Sequence, residues 1–74
     1  MTSTTYTFAV TGMHCGSCGL LIDDALEEID GVDRAQTSVR AGRTVVDADP
    51  AVVQAATLLA VIETAGYRAV LVTD

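Results

Sequence analysis

The chain has no lysine, no tryptophan, one phenylalanine, one proline and two cysteines among its 74 residues. Each scarcity excludes something. Four arginines against ten carboxylates leave a net charge of −6, which removes nucleic acid as a partner, since phosphates demand a basic surface. No apolar run approaches the roughly 20 residues that span a bilayer, so the chain does not insert into a membrane. Met1-Thr2-Ser3-Thr4-Thr5 lacks the basic and apolar stretches of a signal peptide, and the expected location is the cytoplasm. Two cysteines and one histidine fall short of the four ligands that a closed structural zinc site requires. With three aromatic residues, the core must come from small side chains: 20 Leu, Ile, Val and Phe together, and 11 Ala. A mean hydropathy of +0.41 still marks an ordered chain, and its length predicts one domain over residues 1–74.

Six of the ten acids are crowded into one stretch: Asp23, Asp24, Glu27, Glu28, Asp30 and Asp33. Asp47, Asp49, Glu63 and Asp74 are balanced in number by Arg34, Arg40, Arg43 and Arg68. The whole net charge therefore maps to a short segment, and a basic protein patch is the expected partner for it.

Tyr6, Phe8 and Val10 alternate with Thr5, Thr7, Ala9 and Thr11, the period of a strand over 4–11. Cys18, Ile22, Ala25, Leu26 and Ile29 recur at helical spacing, which predicts a helix over 16–29 with Gly31 as its stop. On that helix Leu20 falls amid Asp23, Asp24 and Glu27, opposite the core side, and Leu21 flanks the core. Val32, Ala35, Thr37 and Val39 predict a second strand, Ala41-Gly42-Arg43 a hairpin turn, and Thr44, Val46 and Ala48 a third strand. Asp49-Pro50 reads as the start of a second helix, with Asp as cap and Pro at the first helical position. Leu58, Leu59, Ile62 and Ala65 give that helix its apolar side, Gly66 stops it, and Tyr67 to Val72 form a last strand. The order βαββαβ predicts an α+β, ferredoxin-like sandwich: a four-stranded antiparallel sheet, two helices on one face, the other face largely solvated.

Concentrated chemistry occurs in Gly12-Met13-His14-Cys15-Gly16-Ser17-Cys18, between the first strand and the first helix. Cys15 in the loop and Cys18 in the first helical turn can converge on one point. The helix N-terminus aims unpaired N–H groups and the positive end of its dipole there, which favours thiolate over thiol. A thiolate pair suits Cu(I), Zn(II) or another thiophilic ion, and Gly16 lets the backbone turn between the ligands. From spacing alone, three readings stay open: a soft-metal site, a dithiol–disulfide redox pair, or a structural pair. Cytoplasmic location disfavours the structural pair. Length, strand order and the missing tryptophan disfavour a thioredoxin-like enzyme.

The same residues resemble the G-M-x-C-x-x-C signature of the heavy-metal-associated domain family. That family includes bacterial copper chaperones, N-terminal domains of heavy-metal P-type ATPases and mercury-trafficking domains. The resemblance covers nearly the whole chain, through Ile22, Ala25, Leu26, Ile29, Gly31 and Val32 to Asp49-Pro50 and Ile62-Glu63-Thr64-Ala65-Gly66-Tyr67-Arg68-Ala69. It implies a non-enzymatic carrier that binds Cu(I) as a near-linear bis-thiolate through Cys15 and Cys18. Ag(I), Hg(II) and Zn(II) are alternative cargoes. The implied partner is a copper-transporting P-type ATPase or its metal-binding domains; a start Met and a full domain support a free-standing chaperone, and an excised ATPase domain stays open beside it. Met13 packs under the loop rather than ligating. His14 is open between a solvated loop residue and a third, transient ligand; zinc-exporting relatives commonly carry Asp at this place, so His14 points to Cu(I). Tyr67 is expected to shield the thiolates, with Gly12 and Gly16 shaping the loop. Leu20, Asp23, Asp24 and Glu27 form the expected docking patch. An apo monomer is expected, and the exposed site lets two molecules share copper through four thiolates, with His14 added.

Overall fold

The computed structural model describes residues 3–13 and 16–72. Elements follow the order β1 (Thr4–Thr11), α1 (Gly16–Glu27), β2 (Val32–Ser38), β3 (Arg43–Ala48), α2 (Ala55–Thr64) and β4 (Arg68–Val72). The strands form one antiparallel sheet in the order β2-β3-β1-β4. The predicted ferredoxin-like fold is the one observed.

Alternation in the strands decides what faces the helices. Phe8 and Val10 of β1 and Thr44, Val46 and Ala48 of β3 are buried, as the period-two pattern requires. Ile22 and Leu26 from α1 and Leu58 and Ile62 from α2 close over them. These four are essentially inaccessible to water, so truncating any one to Ala costs about 2–5 kcal/mol, a large share of the stability of so small a domain. Outward positions of the sheet carry mostly Thr, Arg and Gln, with Val45, Val70 and Val72 as exposed exceptions.

Three expectations need correction. First, α1 ends at Glu27 rather than at 29. Beyond it Ile29 N–H donates to Leu26 O and Val32 N–H to Ile29 O, so tight turns replace the helical ladder. Second, Asp49-Pro50 does not begin α2. The Asp49 carboxylate accepts from Ala51 N–H at 3.0 Å, and its carbonyl accepts from Val52 and Val53 N–H. That makes one isolated turn, which delivers Val53 to the core. Gln54 is then extended (φ −97°, ψ 157°), and α2 starts at Ala55. Third, Leu21 does not flank the core but is 60% exposed. It lies about 100° around α1 from Ile22 and about 140° from Leu26, on the side turned away from the sheet.

The turn at 49–53 and the exit of α1 lock together. Asp49 N–H donates to Gly31 O at 2.8 Å, and a β-carbon at Gly31 would come within 2.8 Å of Val52. Gly31 also has φ +97°, a conformation that side chains with a β-carbon resist. Gly66 has a similar φ of +104° but open space around it. Gly31→Ala should therefore destabilise the metal-free protein by more than Gly66→Ala. The backbone term, about 1–2 kcal/mol, is common to both, and the excess measures the displaced Val52. Urea midpoints at constant m-value provide the comparison; equal losses would show that Val52 yields freely.

Candidate metal centre

β1 ends at Thr11, α1 begins at Gly16, and the motif loop joins them at one end of the sandwich. His14 and Cys15 lie outside the described residues. Cys18 sits in the first turn of α1, half-buried. Met13 is half-buried and packs against the core. Tyr67 packs there too, and its Cδ1 is 3.8 Å from where a β-carbon on Gly12 would stand. The end of α2 thus brings an aromatic ring onto the entrance of the loop, 55 positions away in sequence from Gly12. Among the described residues, no group of three or more His, Cys, Asp or Glu side chains is placed to hold a metal ion.

What holds Cys18 in place is the seating of α1 on the edge strand β2. Gly19 is buried against that strand: a β-carbon there would meet Val39 Cγ2 at 3.1 Å and Thr37 Cγ2 at 3.3 Å. One turn on, the Asp23 carboxylate accepts from Thr37 Oγ1 at 2.6 Å, and Thr37 and Thr44 hydroxyls are 2.9 Å apart. A carboxylate only accepts, and Thr37 has one hydroxyl proton, so the buried Thr44 must donate to Thr37. A further turn on, Glu27 accepts from the backbone N–H of Ala35 at 3.3 Å. Gly19, Asp23 and Glu27 thus form a continuous face that fastens the helix to β2, starting beside Cys18.

The expected docking patch therefore divides. Leu20 is 65% exposed, as expected, and Asp24 is exposed with it. Asp23 is half-buried, and both it and the exposed Glu27 accept hydrogen bonds from β2. The sequence pattern marks Thr37 and Thr44 only as strand residues and does not single out Gly19. A usable signal was present: glycine inside a helix costs up to about 1 kcal/mol relative to Ala, and a close approach is the usual reason to keep it.

The profile of the heavy-metal-associated domain matches residues 7–68, which includes the loop, both helices, all of β2 and β3, and most of β1. The chain belongs to the heavy-metal-associated domain family. This domain is 40% identical over 63 residues to the copper chaperone CopZ of Staphylococcus saprophyticus, covering 85% of this chain and 93% of the chaperone. It is 41% identical over 58 residues to a zinc-transporting ATPase of Synechocystis, covering 78% of this chain but 8% of that much longer protein. A solved copper binding domain from HMA7, a P-type ATPase, superposes with a TM-score of 0.90 at 30% identity, covering 93% of each chain.

If the Asp23–Thr37–Thr44 chain fastens α1, Thr37→Val should cost about 1–3 kcal/mol, because it leaves the buried Thr44 hydroxyl without its acceptor. Adding Thr44→Val removes that orphaned hydroxyl and should restore part of the loss. Urea unfolding of both single variants and the double closes the cycle; losses that simply add would contradict the coupling of the two hydroxyls.

Proposed function

We propose that this heavy-metal-associated domain, a single unit over residues 1–74, is a cytoplasmic carrier of Cu(I), bound by the thiolates of Cys15 and Cys18. It is a carrier rather than an enzyme. The observation that carries this reading is the placement of Cys18 in the first turn of α1, at the open end of a fold shared with copper chaperones and copper-ATPase domains. Helix N–H groups there favour thiolate. Two sulfur ligands leave the ion coordinatively open, so a thiolate of an acceptor can join before one of the first pair leaves. Exchange through three-coordinate species lets tight binding coexist with fast transfer.

The acceptor in this reading is a copper-transporting P-type ATPase or one of its metal-binding domains. Met13 supports the loop from below, and its packing on the core favours that role over ligation. Tyr67, beside Gly12, shields the thiolates. His14 is the candidate for a third, transient ligand, and the metal-free protein is a monomer that copper can bridge into a dimer. Zn(II) is the second reading, favoured by the match to a zinc-transporting ATPase and opposed by His14 in place of the Asp of zinc exporters.

Competition for Cu(I) against a chromophoric chelator tests the ligands. Cys15→Ser and Cys18→Ser should each lower affinity by more than the roughly 10–100-fold that loss of an outer partner of a metal ligand costs. Met13→Leu should leave affinity within a few-fold and cost less than about 1.5 kcal/mol of stability, because the swap conserves volume. Retention of wild-type affinity by either serine variant would refute the ligand pair. Preference for Zn(II) over Cu(I) in the same competition would establish the second reading.

A further inference from the structure

The turn between β2 and β3 touches both flanks of the motif loop, although it is remote from each in sequence. On the exit side Gly19, directly after Cys18, is buried, and a β-carbon there would stand 3.1 Å from Val39 Cγ2. On the entrance side Val10 N–H donates to Gly42 O at 2.7 Å, two positions before the motif begins at Gly12. The turn that joins these contacts is itself closed. Gly42 N–H donates to Val39 O at 3.3 Å, and Ala41 N–H donates to the Ser38 hydroxyl oxygen at 3.2 Å. Val39 and Gly42 are thus the two ends of one hydrogen-bonded turn, the first pressed on the exit of the loop and the second bonded to its entrance.

Val39 is half-buried yet stands outside the core cluster and the residues packed on it. Its side chain meets α1 at Gly19, a poor helix former placed where the helix comes closest. Cys18 moves with that flank, and Cys15 lies between the two flanks in sequence. A site with two sulfur ligands has no further ligand to fix its span, so the setting of the flanks has to do so.

We infer that Val39 and Gly42 are positioning residues for the metal ligands: the β2–β3 turn is a strut that sets the spacing between the two flanks of the motif loop before the ion arrives. The inference rests on the carrier reading. Flanks that are already in place need not be ordered at binding, and close-packed segments transmit a small displacement instead of absorbing it.

The test is a size swap in the full chain. Gly19→Ala should push α1 off Val39, and Val39→Ala should leave α1 unsupported. Each should lower Cu(I) affinity in chelator competition several-fold, short of the roughly 10–100-fold cost of losing a direct outer partner. Gly42→Ala, whose β-carbon would stand 3.2 Å from Val10 O, should do the same from the entrance side. The double variant, Gly19→Ala with Val39→Ala, puts the added methyl into the vacated space and should recover most of the affinity. Val53→Ala, a buried site past Ala48 at the far end of the sheet, should destabilise the fold and leave affinity unchanged. Affinity is read where urea curves show every variant folded. Two readouts need no copper. Glutathione disulfide takes two electrons from the Cys15–Cys18 pair and releases two glutathione thiols; that equilibrium should shift several-fold in each single variant and return in the double. Amide shifts in Gly19→Ala should extend through the turn to Gly42 and Val10. Unchanged affinity in the single variants, no recovery in the double, an equal loss in Val53→Ala, or amide shifts confined to 16–23 and 37–39 would overturn the strut. A wild-type chain that fails to hold Cu(I), while the glutathione equilibrium and amide shifts respond as stated, would refute the carrier reading and leave the strut standing.

Discussion

Everything at the functional end depends on how closely α1 can approach the edge strand β2. A helix normally rides on a layer of side chains, and here the layer is missing for one turn because Gly19 has none. Thr37 and Val39 fill that space, and the approach puts Asp23 within hydrogen-bonding reach of Thr37. The chain from Asp23 through Thr37 to Thr44 then satisfies a hydroxyl that is fully buried, which would otherwise cost free energy. Since Cys18 precedes Gly19 directly, the orientation of the helix N-terminus follows from this contact.

The same seating solves a second difficulty. β2 is an outer strand of the sheet, with backbone groups available for unwanted pairing. Glu27 takes the Ala35 N–H, and Thr37 is engaged by Asp23, so two carboxylates of the acidic segment serve the edge of the sheet. Their presence in α1 is then explained by packing rather than by the helix dipole, which acids near a C-terminus oppose. Part of what looks in the sequence like a solvated charge cluster is structural.

Metal carriage requires a site that is fixed yet open. The fold places Cys18 in the first turn of α1, at the end of the sandwich, and anchors Met13 and Tyr67 on the core. In the proposed carrier, a base tied to the core suits ligand exchange, because the acceptor has to reorganise the loop rather than the domain.

Local periodicity in the chain determined most of the fold. Alternation in β1 and β3, the helical spacing of Ile22, Leu26, Leu58 and Ile62, and the glycines at the exits are short-range signals of which face is apolar, and they lead to βαββαβ without knowledge of contacts. The motif from Gly12 to Cys18 left a soft-metal site, a redox pair and a structural pair open by spacing, and only its resemblance to the heavy-metal-associated family pointed to the first. Asp49-Pro50 misled because a cap residue and a proline start an isolated turn as readily as a helix, and the burial of Val53 decided between them. The placement of charge was hidden for a related reason. Counting along the chain balances Arg40, Arg43 and Arg68 against distant acids in number, whereas antiparallel register brings them to the loop end of the sheet and leaves Glu28, Asp30 and Asp33 at the other. Which residues share a face is written in a period of two or 3.6; which residues share an end depends on pairing between strands far apart in sequence, and that is decided when the sheet closes.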